Sequence, residues 1–311
     1  MVFDKLGAMA FPPKLIAIDI DGTLLPSAGT VISERNCRAL REAEAAGIQL
    51  VIATGRRQAY AAPLIGPVGL KAETVMITSN GSITRTIGGE PMDRFFLPVE
   101  TARELCPALR RFGGTSIFTF DREGPGELVL ESLAEVRSRI AAWIEANRQW
   151  IAEVKPLERA FDEGEAPVQG MVCGTVAGMR RAEEWLEASE MGPKIEMHRT
   201  EYPVRDLAIL DILPPGCSKG AALRRLGDSL GIGPGEMMAI GDNFNDVEML
   251  EFVGQPVVMA NAAPELLRSA GERGWRVAPS NDEDGVAQVL EQIVESVAEG
   301  SIVQSAGEST H

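Results

Sequence analysis

Apolar positions fall in two rhythms along the chain. Near the start, short continuous apolar runs alternate with helical patterns. Residues 14–20 (KLIAIDI), 48–53 and 75–78 are such runs. Continuous runs suit strands buried on both faces of a parallel sheet. Between them, residues 33–46 carry a helical pattern, with Ser33 placed to cap its start and Gly47 to end it. A second helix is expected after Thr54-Gly55-Arg56. This β-α-β-α-β order predicts a doubly wound sheet.

The rhythm changes after Asn80-Gly81. Runs at 83–87 and 92–97 flank Gly88-Gly89 and read as a hairpin. Beyond it, helical patterns at 101–112, 138–151 and 179–191 mix with strand-like runs at 115–120, 128–132, 169–176, 195–199 and 207–213. The parallel rhythm returns after Pro214-Pro215-Gly216. Helices are expected at 218–230, 245–252, 264–270 and 285–297, and strands at 237–240, 256–259 and 275–278. The prediction is therefore an α/β fold: a doubly wound, mainly parallel core (1–84 and 213–311) with an inserted α+β domain (85–212). Both ends read as loose termini.

Composition narrows the function. The 311 residues carry 30 Lys+Arg against 45 Asp+Glu, a formal net charge of -15. Such a chain lacks the basic footprint of a nucleic-acid binder and is repelled by an anionic membrane surface. Asp4 and Lys5 interrupt the place where a signal peptide needs an apolar run. No apolar stretch approaches the ~18 residues of a membrane span. Cys37, Cys106, Cys173 and Cys217 are scattered and read as buried small hydrophobes in a reducing compartment. A cytoplasmic protein is expected. Only two histidines occur, and one, His311, is the last residue. That leaves too few clustered ligands for an ordinary zinc site and no usable Ser–His–Asp triad. His198 is expected on a strand surface.

The strongest chemical signal is Asp19-Ile-Asp-Gly-Thr-Leu-Leu, at the end of the first apolar strand. Alternation along a strand lets Asp19 and Asp21 project to one side at its C-terminal end, where open α/β sheets bind ligands. Paired carboxylates call for a cation, and hard oxygen ligands favour magnesium. Gly22 lets the chain turn after the pair. Thr54-Gly55 offers a hydroxyl and backbone N–H groups suited to an anion. Lys219 opens a helix, against the helix dipole, which points to a nearby anion. Gly241-Asp-Asn-Phe-Asn-Asp supplies Asp242, Asn245 and Asp246 at another strand end, without the spacing of an EF-hand loop.

DIDGTLL, the threonine of ATGR, the lysine of SKG and GDNFND stand in the order of the four motifs of the haloacid dehalogenase superfamily, and the chain resembles its Cof-type subclass IIB phosphatases. Ser79-Asn-Gly, Met259-Ala-Asn-Ala and Ser280-Asn-Asp-Glu-Asp-Gly-Val add to the likeness, which spans about residues 14–297. The resemblance implies that Asp19 is the nucleophile, forming an aspartyl-phosphate. It implies Mg²⁺ held by the carboxylates of Asp19 and Asp242 and the backbone carbonyl of Asp21. Asp21 becomes the general acid and base. Thr54, Gly55, Lys219 and Asn245 hold the phosphoryl group, and Asp246 supports from behind. The insert becomes a cap that selects the leaving group. Arg56 and Asn80 stand as candidates near the mouth.

The implied activity is Mg²⁺-dependent hydrolysis of small phosphorylated metabolites, sugar phosphates among them. A phosphomutase of the same fold is the nearest alternative, and glucose-phosphate isomerisation without phosphate release marks it. A non-catalytic phosphate-binding module is the third, disfavoured because every catalytic position is filled. The net charge excludes polyanionic partners rather than a small phosphate, since the acids gather at one metal site.

Overall fold

In the computed structural model of the chain, the residues described are 12–135, 140–202 and 205–308. His311 and the first eleven residues lie outside them. In chain order the main elements are β1 (Leu15–Ile18), α1 (Glu34–Ala45), β2 (Gln49–Ala53), α2 (Gln58–Ile65), β3 (Val75–Thr78), β4 (Ile83–Thr86) and β5 (Pro91–Arg94). Then come α3 (Val99–Arg110), β6 (Thr115–Thr119), β7 (Leu128–Leu130), α4 (Ala141–Ala146), β8 (Ile151–Glu153), β9 (Gln169–Gly174), α5 (Val176–Glu187), β10 (Glu196–Tyr202) and β11 (Leu207–Leu213). The chain ends with α6 (Lys219–Leu230), β12 (Met237–Gly241), α7 (Val247–Phe252), β13 (Gln255–Met259), α8 (Pro264–Arg273), β14 (Arg276–Ala278) and α9 (Gly285–Glu308).

The chain divides into two compact units. One runs up to Asp93 and resumes at Ser218; the other is Arg94–Cys217. The first unit holds a sheet in the order β14-β13-β12-β1-β2-β3-β4-β5. Pairing is parallel from β14 to β3 and antiparallel between β3 and β4. Helices cover both faces. Ile16, Ile18, Leu50 and Ile52 pack with residues of α1 and α9 on one face. Leu15, Ala17, Val51 and Ala53 pack with residues of α6, α7 and α8 on the other. That is why these strands read as unbroken apolar runs: both faces are buried. α1 is capped as expected, with Ser33 Oγ accepting the Asn36 N–H.

The compact units divide at 93/94 and 217/218, where the sequence pattern suggests 84/85 and 212/213. The hairpin stays with the first unit because β4 pairs with β3, and Asp93 of β5 takes the Arg225 guanidinium at 2.6 Å.

The second unit holds a sheet in the order β10-β11-β9-β6-β7-β8. It is antiparallel apart from the β7–β8 pair. α3 and α5 cover one face, where Phe118, Leu210 and Ile212 join the core. α4 is much shorter than the pattern over 138–151 suggests: a separate turn spans Arg148–Trp150, and Ile151 opens β8. Residues 138 and 139 lie outside those described. At the C-terminus, α9 runs to Glu308, into the stretch expected to be loose. Among the described residues, no helix is long and apolar enough to cross a membrane.

Candidate active site

The motif residues meet because four neighbouring strands of the first unit end together. β12, β1, β2 and β3 lie side by side, with Ile240, Ile18 and Ile52 in register. Asp19 follows β1, Asp242 follows β12, Thr54 follows β2, and Ser79-Asn80 follow β3. All sit at C-terminal strand ends. Asp19 N–H donates to Ile240 O across the β1–β12 gap at 3.0 Å.

Lys219 is the first residue of α6. Its Nζ donates to Asp19 Oδ1 at 2.6 Å and to Asp246 Oδ1 at 2.7 Å. All three side chains are almost fully buried. Ser218 caps the helix, its Oγ accepting the Ala221 N–H, so the helix start and the lysine are fixed together. The anion that the helix start calls for is thus this pair of carboxylates.

Asp246 does more than support from behind. Its Oδ2 accepts the N–H groups of both Asp242 and Asn243 at 3.1 Å, while its Oδ1 takes Lys219. It therefore shapes the Gly241–Asp246 turn and neutralises the lysine at once. Asp242 is half-buried and accepts the Thr23 hydroxyl at 2.9 Å. Oxygens of Asp19, Asp242 and Asp246 all lie within 4.8 Å of one another.

These carboxylates outnumber their buried cation, and their proton affinities show it. Burial, opposed by Lys219 and reinforced by Asp246, Asp242 and Asp21, pushes Asp19 well above the usual carboxylate range. Burial and the Asp246 charge lift Asp242 to about 7, although the Thr23 hydrogen bond works the other way. Burial disfavours the Lys219 charge, but Asp19 and Asp246 outweigh it and raise its affinity for its proton. The cluster is an all-oxygen set short of positive charge, a donor set that fits a hard divalent cation. Both Asp246 oxygens are already engaged, which leaves Asp19 and Asp242 to offer carboxylate oxygens.

Gly22 explains why a glycine follows the aspartate pair. Its φ is +80°, and a Cβ there would stand 2.2 Å from Asp242 Oδ2. Gly22→Ala therefore combines left-handed strain with a clash against the acidic cluster. It is expected to destabilise the fold by about 1–3 kcal/mol and to displace Asp242, read by urea unfolding and by lost metal binding.

The helix expected after Thr54-Gly55-Arg56 is α2, which begins at Gln58. Thr54 is fully buried, and its Oγ1 accepts the Arg56 N–H at 3.1 Å. The strand end is a tight turn, closed by Asn80 N–H donating to Thr54 O. Gly55 lies against the Asn80 amide, 2.9 Å from Oδ1 to the position of an added Cβ. Asn245 donates to that same Asn80 Oδ1 at 3.1 Å, linking the turns after β3 and β12.

Asp21 is exposed. The Arg56 guanidinium grips its carboxylate with two hydrogen bonds, Nε at 2.7 Å, and lies over the Tyr60 ring. Sequence reasoning gave Arg56 no partner, and it missed Thr23 altogether. Outside this cluster, His198 sits half-buried on β10, with Nε2 3.3 Å from Cys217 O, and all four cysteines are buried.

A family model of haloacid dehalogenase-like hydrolases matches residues 16–290. The chain belongs to this family. This haloacid dehalogenase-like hydrolase is 30% identical over 300 residues to Phosphatase YwpJ of Bacillus subtilis (strain 168), covering 90% of the chain and 100% of that protein. It is 31% identical over 258 residues to an HMP-PP phosphatase of Escherichia fergusonii, covering 81% and 86%. A solved haloacid dehalogenase-like hydrolase from Bacteroides thetaiotaomicron matches with a TM-score of 0.74 at 28% identity, over 90% and 99% of the two chains. The α/β core with an added α+β unit is the fold of these proteins.

Proposed function

We propose that the chain is a Mg²⁺-dependent phosphatase that hydrolyses phosphomonoesters of small metabolites in the cytoplasm through an aspartyl-phosphate on Asp19. The observation that carries this reading is the buried Asp19–Lys219–Asp246 chain beside Asp242 at one set of strand ends. An ordinary core has no use for two carboxylates on one buried lysine with a third beside them, because buried charge is expensive. The phosphatase names of the relatives support the reaction class.

Asp19 attacks phosphorus in line. Its Oδ–P bond forms as the ester P–O bond breaks. Lys219 orients the carboxylate through Oδ1 and offsets phosphoryl charge. Asp21 gives its proton to the leaving oxygen, then takes one from the water that cleaves the acyl phosphate. Thr54, Gly55 and Asn245 hold phosphoryl oxygens at the turns that the Asn80 amide ties together. Asp19 and Asp242, with the Asp21 backbone carbonyl, would hold the metal ion, which would supply positive charge against the repulsion between carboxylate and phosphate.

The test is release of phosphate from p-nitrophenyl phosphate and from a panel of phosphorylated metabolites. Hydrolysis with Mg²⁺ that disappears on chelation and returns on adding Mg²⁺ is expected. Full hydrolysis in excess chelator contradicts the assignment. Mg²⁺ is also expected to raise the thermal midpoint of the wild type, and to do so less in Asp242→Asn, since a ligand of the native state stabilises it by mass action.

A further inference from the structure

The turn that carries Asp21 is clamped from behind by two asparagines, in segments to which the catalytic groups assign no work. Asn261 follows β13, and Asn281 sits in a short turn after β14. Asn261 Nδ2 donates to Gly22 O at 2.8 Å, and its Oδ1 accepts the Asn281 N–H at 3.0 Å. Asn281, almost fully buried, donates through Nδ2 to Leu25 O at 2.8 Å. Gly22 is the next residue after Asp21, and Leu25 pairs with Asp21 in an isolated β-bridge. One continuous strap therefore holds the carbonyl of Gly22, next in the chain to Asp21, and that of Leu25, which pairs with Asp21.

We infer that Asn261 and Asn281 are positioning residues for proton transfer by Asp21. This rests on the reading of Asp21 as the general acid. The Asp21 side chain is 54% exposed, and Arg56 holds its carboxylate from the far side, so its root is placed by the backbone turn rather than by packing. Its reach to the leaving oxygen is set by the turn beneath it. A general acid acts only within hydrogen-bond reach, and a misplacement of about 1 Å costs on the order of 10²-fold. In the step concerned, the Asp19 Oδ–P bond forms and the P–O bond to the leaving group breaks. The bonding pair goes to the leaving oxygen, which takes the proton from Asp21. A poor leaving group needs that proton; p-nitrophenolate departs without it.

The experiment compares kcat/KM for p-nitrophenyl phosphate and phenyl phosphate in the full-length chain with Mg²⁺. The two esters differ chiefly in leaving-group basicity, and kcat/KM reports the steps up to phosphorylation of Asp19. Asn261→Ala is expected to lower kcat/KM for phenyl phosphate about tenfold while leaving p-nitrophenyl phosphate within about twofold. Asn261→Asp keeps the acceptor for Asn281 N–H but loses the donor onto Gly22 O. It is expected to show at least the same change in ratio, because its carboxylate also repels the Gly22 carbonyl. Lys14→Ala breaks the exposed pair with Glu236 at the opposite end of β1, and is expected to leave the ratio alone. Asn281→Ala removes a buried group, and Asn261 carries the test if that variant does not fold. Equal loss on both esters in the Asn261 variants, or no loss on either, overturns the inference. A wild type that hydrolyses neither ester overturns the phosphatase reading itself.

Discussion

Asp19→Asn is expected to abolish turnover, by at least about 10³-fold in kcat, while the fold is kept or strengthened. The two halves come from one cause. Asp19 is crowded by burial and by three carboxylates, so the folded state holds its proton well above the usual carboxylate range. For an acid shifted upwards, both folded and unfolded states are protonated at low pH and no penalty exists there. The penalty appears as pH rises above the unfolded value and grows up to the folded one. Asn carries no charge at any pH and can still accept from Lys219. The metal-free variant is thus expected to match wild type in acid and to melt at or above it at pH 7–8. Calorimetry across that range checks the stability, and phosphate release checks the activity. A variant that retains activity ends the nucleophile assignment. One that loses activity only because it unfolds removes the electrostatic account of the cluster.

Lys219→Met is expected to be the most damaging change at the site. Methionine fills a similar space but leaves Asp19 and Asp246 buried without the cation that touches both. Removing one partner of a buried ion pair typically costs about 3–5 kcal/mol, because the remaining charge is uncompensated. Urea unfolding of the metal-free protein reads this loss. Adding Asp246→Asn to the variant removes one orphaned charge and is expected to restore part of the stability, with activity still absent. A coupling near zero between the two substitutions contradicts the structure, since residues in direct contact do not behave independently.

Much of the site was legible because its residues sit at the ends of apolar strands. The run before Asp19 became β1, the run before Asp242 became β12, and adjacency in a parallel sheet brought their ends together. Ser33, Gly47 and Lys219 were readable for local reasons: a cap, a left-handed stop, and a cation at the wrong end of a helix dipole. What stayed hidden depends on pairings across the chain. Thr23 meets Asp242, Asn281 reaches Leu25, and Arg56 grips Asp21, none with a local signature. Order along GDNFND likewise says nothing of which acid the lysine touches, and Lys219 reaches Asp246 as well as Asp19. The reach of the first sheet is hidden for a related reason. The hairpin after Asn80-Gly81 reads as the start of a new rhythm, yet β4 extends the first sheet by pairing with β3.

Trapping the covalent intermediate tests the central claim most directly. The enzyme is quenched during turnover of p-nitrophenyl phosphate with Mg²⁺, reduced with borohydride, and mapped by peptide mass spectrometry. An acyl phosphate on Asp19 is reduced to homoserine at that position, and none forms in Asp19→Asn or without substrate. Turnover that proceeds with Asp19 unmodified throughout, or with the label on another residue, contradicts the account.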